Sequence, residues 1–219
     1  MGTGPEPRPR RRRGCLWALV VLAVLVALGG VLSAVALSTP DLGAAPGGTD
    51  DGDSQPAIVA SMAASLTGQL IAGPHGVITL SEHDLTVLVR DNNPNPGRFQ
   101  NPSARVRDGL VVIDAHTPVG PFNVVAVARL ALSRTVGADG LPQVTATFTA
   151  VQVGGLGLPG FAAKALQNRV QQAFDLQDVL SSNDFLRLAR SDLDCVAVAH
   201  SGVRLGFHRP GTTAVGDCG

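Results

Sequence analysis

The strongest hydrophobic pattern in the chain is an unbroken apolar run near its start, from Leu16 to Leu37. The run has 22 residues and no charge. As a helix rising ~1.5 Å per residue it is about 33 Å long, which is enough to cross a ~30 Å hydrocarbon core. Five arginines between Arg8 and Arg13 precede it, whereas aspartates follow it. Because the basic flank of a membrane helix stays in the cytoplasm, the pattern predicts a single-pass protein of the cell membrane, with a cytoplasmic N-terminus and an extracytoplasmic C-terminal domain.

The same run has a second interpretation, as a cleaved secretory signal peptide. Signal peptides also begin with basic residues, and Ala34 and Ala36 would suit a cleavage site. The run is longer, however, than the ~7–15 apolar residues that such peptides use. Its length therefore favours a retained anchor, and cleavage stays open as the alternative.

Composition divides the chain into four parts. Residues 1–15 are predicted to form a basic cytoplasmic tail, 16–37 the transmembrane helix, 38–56 a flexible stalk and 57–219 one extracytoplasmic domain. The stalk is rich in Pro, Gly, Asp and Ala, which is typical of a linker. Residues 38–219 carry 12 of the 17 basic and 16 of the 17 acidic side chains, a net charge of about −4. The domain has no basic stretch, which argues against nucleic acid as a partner.

Two helices are predicted at the start of the domain. Apolar residues recur at helical spacing between Ala57 and Leu70, which gives one face to bury. A second helix is predicted to begin at Ser81, whose hydroxyl can cap it while Asp84 completes a capping box. The loop-forming segment DNNPNPG, from Asp91 to Gly97, ends this helix.

Antiparallel strands are predicted for the middle of the domain. Asp108–Gly109 separates two apolar segments and predicts a tight hairpin. Asn123–Thr135 and Gln143–Val153 alternate between apolar and polar positions, which is typical of a sheet with one covered face. On the second of these strands one face is expected to carry Val144, Ala146, Phe148 and Ala150.

The last part of the domain is predicted to contain a covering helix and a closing hairpin. Apolar and polar positions between Pro159 and Phe174 separate onto two helical faces. Cys195–His200 and Val203–His208 flank a turn. The expected fold class is therefore α+β: an N-terminal transmembrane helix, then a curved antiparallel sheet covered on one face by amphipathic helices.

Cys195 and Cys218 fall within the predicted external domain. An oxidising compartment favours a disulfide over a metal or catalytic site for such a pair. We therefore predict a Cys195–Cys218 bond that ties the C-terminus to the closing strands.

Motifs for catalysis and for phosphate or dinucleotide binding are absent from the sequence. The best candidate for a metal or acid–base role is the pair Asp114 and His116, two residues apart on one predicted strand face. A solvated strand face explains this pair more simply. We predict no catalytic residue, no metal site and no cofactor, and an enzyme is the least favoured class.

Two segments resemble a known family. ITLSEHDLTVLV (Ile78–Val89) and VQVGGLGLPGFAAKALQNRVQQAF (Val151–Phe174), in this order after a membrane anchor, resemble the YpmS-like family of bacterial anchored extracytoplasmic proteins. More distantly the chain is similar to LmeA-like proteins, which are tied to lipoglycan biosynthesis and phospholipid binding. The resemblance implies a curved sheet beside a long helix, as in tubular lipid-binding (TULIP-like) folds, with an apolar interior for acyl chains. It implies no catalytic residue.

The first functional hypothesis is a membrane-anchored module that contacts the bilayer through Leu16–Leu37 and binds a phospholipid or a lipid-linked glycan of the cell envelope. Alanine is abundant on the central strands, and its small side chain leaves space for an apolar groove. The candidate groove residues are Val124, Ala126, Ala128, Leu130, Val144, Ala146, Phe148, Phe161, Leu166 and Val170. The alternative is a non-enzymatic envelope scaffold domain, in which these residues form a solid core and the protein partner is unknown.

Overall fold

The computed structural model describes residues 35, 38, 41–42, 54–93, 95–119, 122–157, 182–214 and 218. Within these ranges a short 3₁₀ turn, Arg190–Asp192, follows the last helix. The helices and strands, in chain order, are α1 (Gln55–Ala72), β1 (His75–Leu80), α2 (Glu82–Asp91), β2 (Gln100–Arg107), β3 (Leu110–Val119), β4 (Phe122–Val136), β5 (Pro142–Val153), β6 (Leu156–Gly157), α3 (Asp184–Ala189), β7 (Leu193–Ala199) and β8 (Gly202–His208).

The strands form two antiparallel sheets. One has the order β1-β8-β7, and the other has the order β2-β3-β4-β5-β6. The α+β class with antiparallel strands is therefore confirmed. The sequence predicted one sheet, and the difference arises because β8 pairs with β1 from the start of the domain. Strand β1 itself was not predicted, since Gly73, Pro74 and Gly76 suggested only a break after α1.

Helix α1 packs on β1 through the predicted apolar face. Ile58, Val59, Met62 and Leu66 are its buried residues. The contact is close at Gly76, where an added Cβ would lie 2.7 Å from Cδ1 of Leu66. Glycine at this position therefore lets the helix approach the strand.

Helix α2 begins with the predicted capping box. The amide of Asp84 donates to Oγ of Ser81 (3.1 Å), and the amide of Ser81 donates to Oδ2 of Asp84 (2.8 Å). These bonds satisfy backbone donors that a helix start leaves without partners. The apolar side of α2 is buried beside β2.

Helix side chains bond the outward backbone groups of two edge strands. Gln69 of α1 accepts from the amide of Val77 (2.8 Å) and donates to its carbonyl (3.0 Å). Along β2, the amide of Ala104 donates to Thr86 (3.0 Å) and that of Val106 to Glu82 (2.7 Å). An edge strand otherwise offers a row of unpaired groups to other chains, so these contacts cover part of each edge.

The five-stranded sheet contains a β-bulge that changes one predicted face. Leu130 of β4 pairs with Phe148, but the preceding Arg129 pairs with Ala150, so Thr149 is an extra residue in β5. A bulge reverses the alternation beyond it. Ala150 therefore lies on the face opposite Phe148, and the prediction that both share a face is wrong.

The hydrophobic core is shared by both sheets and by α1, α2 and α3. It extends along the five-stranded sheet as far as Ile113 of β3 and Leu130 of β4. Its large, fully buried side chains include Leu66, Leu80, Leu85, Leu130, Leu186, Leu193, Leu205 and Phe207.

The predicted disulfide is confirmed. Cys195 and Cys218 are bonded, with Cα atoms 5.6 Å apart, and they are 23 positions apart in sequence. The sulfur of Cys195 lies directly over Gly206 of β8, so that an added Cβ there would collide with it. The bond thus holds Cys218 against the middle of the three-stranded sheet.

Three predictions fall on residues that the structure does not describe. Apart from Val35, these are the transmembrane helix Leu16–Leu37, most of the stalk and the covering helix Pro159–Phe174. In the described ranges no helix is both long enough and apolar enough to cross a membrane. This finding corrects the predicted location as a single-pass protein of the cell membrane with an extracytoplasmic domain.

Candidate functional site on the five-stranded sheet

Seven of the ten predicted groove residues lie in the described ranges, and four of these belong to the solid part of the domain. Leu130 and Val144 are members of the core, and Ala146 and Phe148 are half-buried against it. These four therefore do not line an open groove. The other three predicted residues, Phe161, Leu166 and Val170, lie outside the described residues.

The remaining three candidates, Val124, Ala126 and Ala128, share a face of β4 beyond the end of the core. Ala126 pairs with Ala115 of β3, while Ala128 pairs with Ile113 and with Val151 of β5. All are buried, yet none belongs to the core that the described buried residues form. We call Ala115, Val124, Ala126, Ala128 and Val151 the alanine patch.

The composition of the alanine patch has a physical meaning. Alanine is disfavoured in strands because it packs poorly against its cross-strand neighbours. Three alanines on adjacent central strands therefore point to a need for little side-chain volume above the sheet. Such a surface can hold an apolar chain close to the backbone, but it offers no group for chemistry.

The opposite face of the same strands carries a buried ion pair. Nη1 of Arg105 lies 2.5 Å from Oδ1 of Asp114, and the side chains are 7% and 10% exposed. Ser103 donates to the same carboxylate oxygen (2.6 Å). The sequence predicted a solvated face for Asp114, and this prediction is wrong because Val112 and Val127 beside it are also buried.

His116 lies on the face of Asp114 but does not join its hydrogen bonds. Its Nδ1 is buried and has no partner among the described residues. The carboxylate of Asp114 is occupied by Arg105 and Ser103. Among the described residues no group of three or more His, Cys, Asp and Glu side chains could hold a metal ion. The geometry therefore gives the Asp114–His116 pair no shared role.

A cavity of about 480 Å³ with both polar and apolar lining residues opens beside the end of this sheet. Gln100 of β2 lines it and pairs with His116, whose neighbour on β4 is Val125, next to the alanine patch. The sequence predicted a loop for the DNNPNPG segment, part of which lines this cavity, but did not single out Phe99, Gln100 and Asn101. Positive φ at Asn101 (48°) marks the irregular start of β2. The described residues lining the cavity are Thr86, Arg90, Asn93, Pro96, Phe99, Gln100, Asn101 and Pro102.

Comparisons of the chain with models of protein families, with curated proteins and with solved structures found no match. The resemblance to YpmS-like proteins therefore stays a prediction. The structural features that bear on function are the alanine patch, the ion pair on the opposite face of the sheet and the cavity beside it.

Proposed function

We propose that this protein binds a lipid or a lipid-linked glycan, with the acyl chain lying on the alanine patch of the five-stranded sheet. One observation supports this above the others: Ala115, Ala126 and Ala128 are buried on adjacent central strands outside the described core. The resemblance to YpmS-like proteins and to TULIP-like folds points to the same kind of ligand.

The free energy available to an acyl chain on such a surface is limited. Each buried methylene contributes ~0.8 kcal/mol, so about ten of them contribute about 8 kcal/mol. The loss of translational and rotational freedom offsets at least ~4 kcal/mol of this. At most about 4 kcal/mol remains, equivalent to a Kd of about 1 mM or weaker, so contacts with the head group have to strengthen binding.

The cavity suits the other end of such a ligand. It lies at the same end of the sheet as the alanine patch, and Gln100 and Asn101, which carry side-chain amides, are among its lining residues. Amides both donate and accept hydrogen bonds, as hydroxyl groups of a sugar or glycerol require. In our proposal the head group occupies this cavity.

Substitution of Ala128 by leucine tests the proposal. The full chain is purified, its bound lipid is measured by native mass spectrometry, and a fluorescent long-chain fatty acid is titrated into it. We expect Ala128→Leu to fill the space and to weaken fatty-acid binding at least about tenfold, equivalent to ~1.4 kcal/mol. Ala131→Leu, on the opposite face of β4, is the matched control and should bind as the unmodified protein does.

The stability of the same variant separates a groove from a packed core. In a packed core the extra atoms force rearrangement, and Ala128→Leu should then cost ~1–3 kcal/mol of unfolding free energy. In a groove the added methyl groups enter free space, and stability should stay within about 0.5 kcal/mol of that of the unmodified protein. Failure of the unmodified protein to bind any lipid would overturn the proposal.

A scaffold domain with a solid core is the second candidate function. It is favoured by the core positions of Leu130 and Val144 and by exposed apolar side chains at the β4–β5 turn. Val136 and Leu141 are exposed there, and Leu188 of α3 is 72% exposed. Arg190 links the two elements, donating to the carbonyl of Pro142 (2.8 Å). A photo-crosslinker at Leu141 that captures one stoichiometric protein, together with no bound lipid, would favour this function.

A further inference from the structure

We propose that the outer edge of β1 at Thr79 binds an extended peptide segment with a basic side chain, which joins the three-stranded sheet as an added strand. This site lies away from the alanine patch and is independent of lipid binding. Four features of the structure support it: the direction of the β1 backbone groups, the hydrogen bonds of Gln69, the groove beside Thr79 and the charge of Asp84.

The backbone groups of β1 point alternately toward β8 and toward the open edge. In an antiparallel pair, alternate residues turn both their N–H and C=O toward the partner strand. The carbonyl of Pro74 accepts from the amide of Arg209, so Gly76, Ile78 and Leu80 turn toward β8. Val77 and Thr79 therefore turn their groups outward. In the part of the chain that the structure describes, those of Thr79 have no hydrogen-bond partner.

Gln69 already makes the hydrogen bonds that a residue of an added strand would make. Its amide donates to the carbonyl of Val77 and accepts from the N–H of Val77, at 3.0 and 2.8 Å. A peptide unit makes the same two bonds when a strand is added to a sheet edge. Thr79 offers an equal pair of groups two residues further along. The edge thus accepts strand-like partners, and Gln69 occupies only part of it.

A groove between α1 and β1 adjoins Thr79. It has a volume of about 320 Å³, at the lower end of the ~300–1,000 Å³ typical of ligand sites, which suits a few extended residues. Ile58, Met62 and Ile78 are its buried apolar members. Ser61 and Ser65 supply exposed hydroxyls on the α1 side.

The groove carries a negative charge. Among the described residues that line the groove, Asp84 is the charged one. Its Oδ2 accepts from the amide and hydroxyl of Ser81, at 2.8 and 2.7 Å, whereas Oδ1 has no hydrogen bond within the described ranges. The neighbouring Glu82 is already bonded to Arg107. A lysine or arginine of the added strand would complete the bonds of Asp84.

The experiment uses the full chain and a capped heptapeptide that alternates valine with arginine. A matched peptide alternates valine with glutamate. Binding is followed by the NMR shifts of the backbone amides, and we expect the arginine peptide to shift Thr79 and to slow its hydrogen exchange. The glutamate peptide should bind at least about tenfold more weakly, because Asp84 attracts arginine and repels glutamate.

Four variants locate the bound strand. Thr79→Pro removes the outward N–H while leaving the bonds to β8 in place, and should weaken binding about fivefold, the effect of one net hydrogen bond. Thr79→Val keeps the N–H and should bind as the unmodified protein does. Asp84→Asn should abolish the preference for arginine over glutamate. Gln69→Ala should strengthen binding about fivefold, because Val77 becomes available to the peptide.

Two results would overturn the proposal. One is the absence of any shift at Thr79 with the arginine peptide at about 1 mM, the weakest affinity worth assigning. The other is binding that shifts Thr79 but is the same for the arginine and glutamate peptides. If Thr79→Pro fails to fold, Asp84→Asn and the exchange of the Thr79 amide in the unmodified protein decide the question.

Discussion

The backbone amide of Ala104 donates to Oγ1 of Thr86, at 3.0 Å, across the gap between α2 and the edge of β2. The same hydroxyl lies 2.8 Å from the carbonyl of Glu82 and 3.2 Å from that of Ala104. A single buried side chain thus does for β2 what a neighbouring strand would otherwise do. The helix and the sheet edge are joined by hydrogen bonds as well as by apolar contact.

Replacement of Thr86 by valine tests the energetic value of this contact. Valine has nearly the same shape but leaves the buried amide of Ala104 without its acceptor, at a cost of ~1–3 kcal/mol. Thr67→Val is the control, because Thr67 bonds only the carbonyl of Ala63 and is exposed. Urea unfolding measures both variants, and equal losses would show that the Ala104 bond contributes nothing.

The two helix starts offer a matched pair of serines. Ser81 accepts from Asp84, whereas Ser54 caps α1 without any side-chain hydrogen bond. We expect Ser81→Ala to lower the unfolding free energy by ~1 kcal/mol, the usual effect of removing an N-cap. Ser54→Ala should change it by less than about 0.5 kcal/mol. Thermal unfolding followed by circular dichroism compares them, and a larger loss for Ser54→Ala would contradict the capping argument.

Removing one partner of the buried Arg105–Asp114 pair should lower the unfolding free energy strongly. Replacing both residues by apolar ones should lower it much less. Asp114→Leu leaves a buried guanidinium without its carboxylate and should cost ~3–5 kcal/mol. The double variant Arg105→Met with Asp114→Leu should recover most of that loss, because no uncompensated charge remains.

An exposed pair provides the control for this prediction. Arg187 and Asp184 of α3 lie 2.9 Å apart with side chains 62% and 89% exposed. Asp184→Leu should cost no more than about 1 kcal/mol, because water screens such pairs. Chemical denaturation of all three variants gives the values. If Asp114→Leu is as mild as Asp184→Leu, burial of the Arg105 pair is not what stabilises the sheet.

Because the disulfide contacts Gly206, we expect the effect of Gly206→Ala on stability to depend on whether the disulfide is formed. Reduction should cost ~3 kcal/mol in the chain-entropy view of a loop of this length. Gly206→Ala should destabilise the oxidised protein, because its Cβ meets the sulfur of Cys195. Gly68→Ala, whose added Cβ meets nothing within 4 Å, should be neutral or slightly stabilising.

The control for the glycine prediction is the protein with both Cys195 and Cys218 replaced by alanine. In that background Gly206→Ala should lose most of its effect, since the sulfur atoms are gone. Scanning calorimetry with and without reductant provides the comparison. An unchanged effect in the cysteine-free background would mean that the backbone of β8, not the disulfide, excludes the alanine.

Local patterns were sufficient to predict much of the fold. The apolar face of α1, the capping box at Ser81 and the Asp108–Gly109 turn are all present, and positive φ at Asp108 (54°) and Gly109 (72°) fits the tight hairpin. Each depends on residues within a few positions of one another. Short-range physics decides such features, so one sequence is enough to find them.

The features that could not be predicted depend on distant or compensating residues. Pairing of β1 with β8 joins the two ends of the domain, and nothing local specifies it. The bulge at Thr149 could not be seen in the sequence, because apolar and polar residues alternate there without interruption. Thr86 bonds the edge of β2, but the periodicity of its helix indicates only that Thr86 is buried and does not identify Ala104 as its partner.

The candidate site shows the same division. Ala126 and Ala128 follow from strand alternation, and the structure adds that Ala115 is their neighbour. The position of Ser103 opposite Asp114 was available by extending the hairpin register back from Asp108–Gly109. The bond from Arg105 to that carboxylate was not available, because it crosses the pair diagonally and depends on burial of the whole face.

The pairing of β1 with β8 also sets an order of events during synthesis. Thr212 and Pro74, 138 positions apart, are joined by a hydrogen bond of 3.4 Å beside this pair. At a synthesis rate of ~5–20 residues per second, β8 is therefore made about 7–30 s after β1, with which it pairs. The five-stranded meander, whose strands are consecutive, can form well before that. During this interval Gln69 is the one described side chain that bonds the outer edge of β1, so it covers part of that edge while the edge that faces β8 is still open.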